Sequence, residues 1–132
     1  MLASGQLKGA DGTDYTSTYM VGTGPTIYMT DAKGLTLYTF YKDSFNINKF
    51  TNSTFSNNSA WPIYDTTVIV VPSVLNNTNF ATTTIYGHMQ LTYNGWPLYY
   101  YGPDSSKRGS NKGSGVGPGK WPVPVANMTD AP

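Results

Sequence analysis

The sequence predicts an all-β protein in which two pseudo-symmetric repeats form a compact sandwich or barrel. Three observations support this class: β-rich runs alternate with turn signals, no segment of useful length shows helical periodicity, and one aromatic pattern occurs twice. With 132 residues, the chain has the length of one ordinary domain. We expect this domain at 25–126, with repeats at about 25–75 and 80–126, after a loose or edge-strand lead-in at 1–24 and before a C-terminal tail at 127–132.

Two β-hairpins are predicted from runs of β-forming residues on either side of short turn signals. The runs at 26–31 and 35–41 flank "AKG", and those at 82–93 and 96–101 flank the Asn-Gly pair at 94–95. Asn-Gly favours a type I′ turn because both central residues of that turn need a positive φ. The second hairpin therefore has the stronger turn signal.

Two further strands are predicted outside the hairpins. The segment "TTVIVVPSV" at 66–74 has the continuous apolar character of a buried strand. The segment "WPVPVA" at 121–126 is expected to be a closing edge strand, since proline has no N–H to donate to a ladder.

The repeats are recognised from an aromatic pattern and a Trp-Pro pair. We call "LYTFYKD" at 37–43 the first motif and "LYYYGPD" at 98–104 the second motif; they lie 61 positions apart. The Trp-Pro pairs at 61–62 and 121–122 lie 60 positions apart. Each repeat is expected to contain a hairpin, a long polar loop and a strand that begins with Trp-Pro.

The aromatic residues of the two motifs are predicted to lie mostly in the core. Because side chains alternate across a strand, Tyr38 and Phe40 share one face, as do Tyr99 and Tyr101, while Tyr100 points the other way. Both faces of each motif carry bulky apolar groups, which is typical of a strand covered on both sides. Buried tyrosine hydroxyls then need hydrogen-bond partners.

Asp43 and Asp104 end the two motifs and are predicted to lock turns. An aspartate at such a position accepts backbone N–H groups from the residues that follow it. A calcium site is the alternative, because "DSFNIN" at 43–48 places side-chain oxygens at alternate positions. This segment lacks the central Gly and the final Glu of a calcium-binding loop, so the turn-locking role is preferred.

Composition limits the chemistry. Charged residues are 11% of the chain and the net charge is +1, so there is no electrostatic case for nucleic acid as a partner. The chain has no cysteine, and its seven acidic residues are all aspartates. We expect a non-enzymatic protein without a cofactor and without a membrane-spanning segment.

His88 is the one candidate metal ligand, but Met89 beside it points to the opposite face of the strand.

The Gly-rich stretch at 109–119 invites comparison with a phosphate-binding loop, but it lacks that spacing and is predicted to be a flexible loop. Four basic residues surround it, and we interpret them as a solvated surface: Lys107, Arg108, Lys112 and Lys120.

Two kinds of surface site are predicted. Trp96 and Tyr100 are the candidate partner-binding residues, since exposed aromatic rings stack on sugars or pack against proteins. Asn-x-Ser/Thr sequons mark four candidate glycosylation sites, at Asn52, Asn57, Asn76 and Asn127.

These motifs resemble the secreted-repeat family of predicted lipoproteins, whose signature is Tyr-x-(Phe/Trp/Tyr)-x-x-Asp. The matching segments are "TDAKGLTLYTFYKD", "SAWPIY", "LTYNGWPLYYYGPD" and "GSGVGPGKWPV", and they cover about 25–125. Many relatives carry two cysteines before the first Trp-Pro, and this chain has none there. The resemblance implies export to the cell surface or periplasm, and it implies no particular activity.

The main functional expectation is an extracellular module for recognition or assembly, which binds a protein or glycan at the cell surface or associates with itself. The first alternative is an accessory redox or metal-binding protein of an extracytoplasmic electron-transfer system. The second is a structural subunit of a surface layer or filament, whose exposed sheet edges would pair between copies.

Overall fold

A computed structural model describes residues 2–65 and 79–132, and it contains two three-stranded antiparallel sheets. The strands are β1 (Leu2–Lys8), β2 (Asp14–Tyr15), β3 (Pro25–Met29), β4 (Phe80–Ile85), β5 (His88–Tyr93) and β6 (Trp96–Pro97). Short 3₁₀ turns lie at Ser56–Ser59, Gly102–Asp104 and Lys112–Gly115, and the described part of the chain has no α-helix. The predicted all-β class is confirmed.

The first sheet has the order β2-β1-β3, so β1 lies in its centre. Leu2 pairs with Met29 at one end of the β1–β3 ladder. The Gln6 side chain adds to this sheet, because its amide donates to the Tyr15 carbonyl at 2.8 Å and its oxygen accepts the Gly24 N–H at 2.9 Å. The lead-in was predicted to be loose or an edge strand. In the structure Leu2–Lys8 forms a strand, in which Leu2–Gln6 pairs with β3 and Leu7 and Lys8 pair with β2.

The second sheet has the order β4-β5-β6 and contains two tight turns. Asn94 and Gly95 have φ values of 49° and 79°, so the predicted type I′ conformation is present between β5 and β6. Tyr86 and Gly87, with φ values of 45° and 84°, form a similar turn between β4 and β5. The run predicted as one strand at 82–93 is therefore a hairpin, and Gly87 is the signal that marks its turn.

Three of the predicted strands are replaced by shorter pairings. Within 35–41, 96–101 and 121–126, the structure has only the short strand β6 and isolated bridges, such as that between Tyr38 and Tyr99. Consecutive residues of these segments form backbone hydrogen bonds with different parts of the chain, so no long ladder forms. For example, the N–H groups of Leu37, Tyr38 and Thr39 donate to Met29, Tyr99 and Pro122, respectively. The strand predicted at 66–74 lies outside the described residues.

The core consists of two hydrophobic clusters on opposite sides of the motifs. The first cluster contains Leu7, Tyr15, Tyr28, Tyr38, Trp61, Ile63, Tyr99, Trp121 and Val123. The second contains Met29, Leu37, Leu91, Tyr93 and Leu98. Neighbouring residues of each motif thus enter different clusters, as the alternation of side chains along an extended chain requires.

The last residues of the chain pack against the turn at 94–95. The Asn94 amide donates to the Met128 carbonyl at 2.9 Å, and the Ala131 N–H donates to the Asn94 carbonyl at 2.9 Å. Ala131 is buried.

In the residues that the structure describes, no helix has the length and apolar character needed to cross a bilayer.

The two turn glycines provide a matched test of the second sheet. Both have positive φ, but a Cβ on Gly87 would meet nothing within 4 Å, whereas one on Gly95 would enter the Phe45 ring. We expect Gly87→Ala to lower the free energy of unfolding by about 1 kcal/mol through backbone strain. Gly95→Ala should cost at least about 1 kcal/mol more, because Phe45 must move. Urea unfolding of both variants checks this, and equal losses would contradict the contact with Phe45.

Candidate functional site

The two motifs meet at a reciprocal pair of backbone hydrogen bonds. The Tyr38 N–H donates to the Tyr99 carbonyl at 2.8 Å, and the Tyr99 N–H donates to the Tyr38 carbonyl at 2.8 Å. Both tyrosines are fully buried. The centre of each motif is thereby fixed to the centre of the other.

Each of these tyrosines donates its hydroxyl hydrogen bond to the aspartate of the opposite motif. The Tyr38 hydroxyl donates to Asp104 Oδ2 at 2.6 Å, and the Tyr99 hydroxyl donates to Asp43 Oδ2 at 2.7 Å. We call these two contacts the crossed Tyr–Asp pairs. They join residues that are 66 and 56 positions apart in the sequence.

The second oxygen of each aspartate holds the loop that follows it. Asp43 Oδ1 accepts the Lys49 N–H at 2.7 Å, and Asp104 Oδ1 accepts the Lys112 N–H at 2.9 Å. Asp104 Oδ1 also accepts the Ser110 hydroxyl at 2.9 Å. These are the contacts of a turn-locking aspartate, and they leave both carboxylates hydrogen bonded although buried.

The two Trp-Pro tryptophans stack beside the crossed Tyr–Asp pairs. The rings of Trp61 and Trp121 are nearly parallel at 6°, with centroids 3.7 Å apart. Tyr38 lies edge-on to Trp61, and Tyr99 lies edge-on to Trp121, each at 5.3 Å. Edge-to-face aromatic pairs add stability beyond the area that they bury.

The other two motif aromatics flank this tryptophan stack. The Phe40 ring lies 4.5 Å from that of Trp121, and the Tyr101 ring lies 4.3 Å from that of Trp61. Both are half-buried. The six predicted motif residues thus come together around one aromatic centre.

Burial sets the protonation of the crossed Tyr–Asp pairs. It raises the pKa of Asp43 to about 6 and also raises the pKa of Asp104, although the hydrogen bonds from the tyrosine hydroxyls oppose the shift. Burial, followed by the negative charge of the nearby carboxylate, raises the pKa of Tyr38 and of Tyr99 above the usual tyrosine range. The phenols therefore remain protonated and continue to donate.

The two predicted partner-binding residues are partly engaged within the chain. The Tyr100 hydroxyl donates to Asp31 Oδ2 at 2.9 Å, and its ring stacks on Tyr64 at 5.4 Å. The Trp96 indole N–H donates to the Thr129 carbonyl at 2.8 Å. Both side chains are half-buried, so each presents only part of its ring to solvent.

The structure shows an exposed aromatic contact that the sequence analysis missed. Phe45 is 48% exposed and Ile47 is 53% exposed. The Phe45 ring covers Gly95, next to Trp96, and the Asn46 N–H donates to the Gly95 carbonyl at 2.7 Å. We call Phe45, Ile47 and Trp96 the aromatic face. Its sequence signal was two large apolar residues inside the polar segment "KDSFNIN".

His88 lies on a different part of the surface, where its Nδ1 is 2.9 Å from Asp65 Oδ2. Both side chains are about half exposed, and the Phe55 ring packs on the imidazole at 4.6 Å. Across 2–65 and 79–132, no group of three or more His, Cys, Asp or Glu side chains is arranged to hold a metal ion.

The asparagines of the described sequons differ in solvent exposure. Asn52 and Asn127 are exposed, whereas Asn57 is half-buried and its amide donates to the Phe50 carbonyl at 2.7 Å. Glycosylation of Asn57 would leave this nitrogen a single N–H, so the bond to Phe50 would persist only with the sugar on the other side of the nitrogen. Asn76 lies outside the described residues.

The fold and the site define a class of protein. It is an all-β domain whose two motifs are joined through buried tyrosine–aspartate pairs. Residues 81–124 match the profile of a family described as a secreted repeat of unknown function. This segment contains the second motif and the second Trp-Pro pair, and the match confirms the family resemblance there. The word secreted in the family description is consistent with the predicted extracellular location. Comparisons with curated proteins and with solved structures gave no match.

The crossed Tyr–Asp pairs can be tested with matched tyrosine variants. We expect Tyr38→Phe and Tyr99→Phe each to lower the free energy of unfolding by about 2 kcal/mol, because each leaves a buried carboxyl group without one donor. Tyr101→Phe is the control, since no described residue is a hydrogen-bond partner of its hydroxyl, and it should change stability by less than about 0.5 kcal/mol. Chemical denaturation measures all three, and a Tyr99→Phe value equal to the control would contradict the assignment.

Acid should stabilise this protein over a defined range. The folded-state pKa of Asp43, about 6, is above the usual aspartate pKa of 3.8, so the folded state binds the proton more tightly than the unfolded state. This stabilisation is fully present below the unfolded pKa and is lost as pH rises through the folded pKa. We expect the contribution of Asp43 to fall by roughly 2 kcal/mol between pH 4 and pH 7.

Denaturant midpoints measured from pH 4 to pH 7 test this expected loss of stability. Asp43→Asn cannot titrate, so it should flatten the profile relative to the parent protein. A parent profile that rises steadily towards neutral pH would contradict the raised pKa.

Proposed function

We propose that the protein is an extracellular, non-enzymatic recognition module at the cell surface, where it binds a protein or glycan partner. The exposure of the aromatic face is the observation that carries this proposal. Phe45 and Ile47 remain about half exposed beside Trp96 in a domain whose other aromatic rings are largely packed together. Large rings that are partly exposed are favoured contacts at binding surfaces.

The aromatic face is held in place before any partner arrives. Asn46 donates its N–H to Gly95, and its side-chain oxygen accepts the Thr92 hydroxyl at 3.0 Å. The Phe45 N–H donates to the Pro132 carbonyl at 2.6 Å. A contact surface that is already ordered loses less conformational entropy on binding. This supports Phe45 and Trp96 as the binding rings, in place of the predicted combination of Trp96 with Tyr100.

We also propose that the domain is a closed unit of two pseudo-symmetric repeats, in which each repeat completes the other. Equivalent contacts 60 or 61 positions apart support this. The Thr39 N–H donates to the Pro122 carbonyl at 2.8 Å, and the Tyr100 N–H donates to the Pro62 carbonyl at 2.7 Å. Each Trp-Pro segment therefore pairs with the motif of the other repeat.

The binding role is tested by removing rings from the aromatic face. Phe45→Ala and Trp96→Ala should each weaken binding by at least tenfold, the loss expected for an aromatic anchor. Tyr86→Ala is the matched control, because Tyr86 is 56% exposed but lies in the turn at the other end of β5.

Binding is screened on glycan arrays and against proteins of the source cell envelope, and dissociation constants are then measured for each variant. Unchanged binding in both Phe45→Ala and Trp96→Ala would contradict the proposal. Equal loss in Tyr86→Ala would show that the effect does not belong to the aromatic face.

A further inference from the structure

The two hairpin glycines are covered by chemically different side chains. Gly34 and Gly95 are 61 positions apart, and both have positive φ values, 85° and 79°. Phe45, from the loop after Asp43, covers Gly95, whereas Arg108, from the loop after Asp104, covers Gly34, with Cγ 2.8 Å from where a Cβ would lie. Corresponding places on the scaffold thus carry an aromatic group at one end and a cation at the other.

A cleft opens beside the cationic end. Its volume is about 200 Å³, and its walls include Pro62, Tyr100, Tyr101, Ser106 and Lys107. The proline and the tyrosines supply flat apolar surface, while Lys107 supplies a charge at the rim. A concave site with apolar walls and a few polar groups is the usual form of a small-ligand pocket.

Asp104 also lines the cleft, but no carboxylate of the described residues forms an ion pair with the cations beside it. Among the described residues the ion pairs are Lys8–Asp14 and His88–Asp65, so neither Lys107 nor Arg108 takes part in one. The neighbouring aspartates are used internally. Asp104 accepts its three hydrogen bonds, and Asp31 accepts the Lys33 and Leu35 N–H groups together with the Tyr100 hydroxyl. The guanidinium and ammonium groups are left to solvent or to a ligand.

The rim of the cleft is also conformationally unusual. Ser105 and Ser106 both have positive φ values, 55° and 54°, which non-glycine residues rarely adopt in succession. Such strained residues occur preferentially at ligand-binding sites. Among residues 2–65 and 79–132 the hydroxyl of Tyr101, in the wall, has no hydrogen-bond partner, so it is available to a bound polar group.

We propose that this cleft binds a carboxylated sugar unit of an acidic glycan. Tyr100 and Pro62 would contact the apolar face of the sugar ring, and the Tyr101 hydroxyl would bond a sugar hydroxyl. Lys107, in the wall, would receive the carboxylate, since charge-assisted hydrogen bonds to carboxylates are among the strongest available. Arg108 follows Lys107 in the chain but does not line the cleft, so it would add positive charge nearby without binding the carboxylate directly. The cleft does not include the aromatic face, so this site is separate from the one proposed above.

The full chain is titrated by calorimetry with a galacturonate trimer, with a neutral galactose trimer and with inorganic phosphate. We expect the uronate trimer to bind and the other two to bind at least tenfold more weakly, because the site needs both the ring and the charge. Lys107→Gln should weaken uronate binding about tenfold, and Arg108→Gln, which lies outside the lining, should weaken it less. Lys42→Gln, which removes an exposed cation elsewhere, is the charge-matched control and should not.

Three results would overturn the proposal: no uronate binding, equal binding of the neutral trimer, or equal binding of phosphate, which would indicate a simple anion site. Tyr101→Phe gives a second test on an uncharged residue and should weaken uronate binding severalfold. Thermal melts confirm that each variant is folded. Phe45→Ala should leave uronate binding unchanged, so failure of this proposal is distinguishable from failure of the aromatic face.

Discussion

The structure depends on two buried carboxylates, each of which takes a hydrogen bond from the opposite motif. A carboxylate in a core is very unfavourable unless donors surround it. Asp43 receives one donor from the loop that follows it and Asp104 receives two, and each also receives a tyrosine hydroxyl from the other motif. Neither motif supplies the tyrosine that its own aspartate binds, so each needs the other to complete these hydrogen bonds.

The same interaction positions the surface loops. By accepting the Lys49 and Lys112 N–H groups, the two aspartates anchor the chain on either side of the crossed Tyr–Asp pairs. The loops then reach the opposite hairpins, where Phe45 covers Gly95 and Arg108 covers Gly34. One internal scaffold thus presents an aromatic group and a cationic group at corresponding places, and this difference underlies the two separate binding sites proposed here.

Local signals predicted much of the fold. The Asn-Gly pair predicted a type I′ turn because its requirement for positive φ is a property of the two residues themselves. The alternation of side chains likewise predicted that neighbouring motif residues would face different sides. Local signals left β1 undecided between a loose segment and an edge strand, because it has no apolar alternation; its pairing first with β3 and then with β2 fixes it. They failed for the segment at 35–41, whose backbone groups bond to several different segments.

The sequence by itself determined the all-β class, the aromatic composition of the core and the fact that buried tyrosines and aspartates would need partners. Only the tertiary structure decided which groups are paired. Tyr38 bonds Asp104 and Tyr99 bonds Asp43, across separations of 66 and 56 residues. No local pattern encodes such a choice, because each tyrosine precedes an aspartate by the same five positions in both motifs. Their pairing follows from how the whole chain closes.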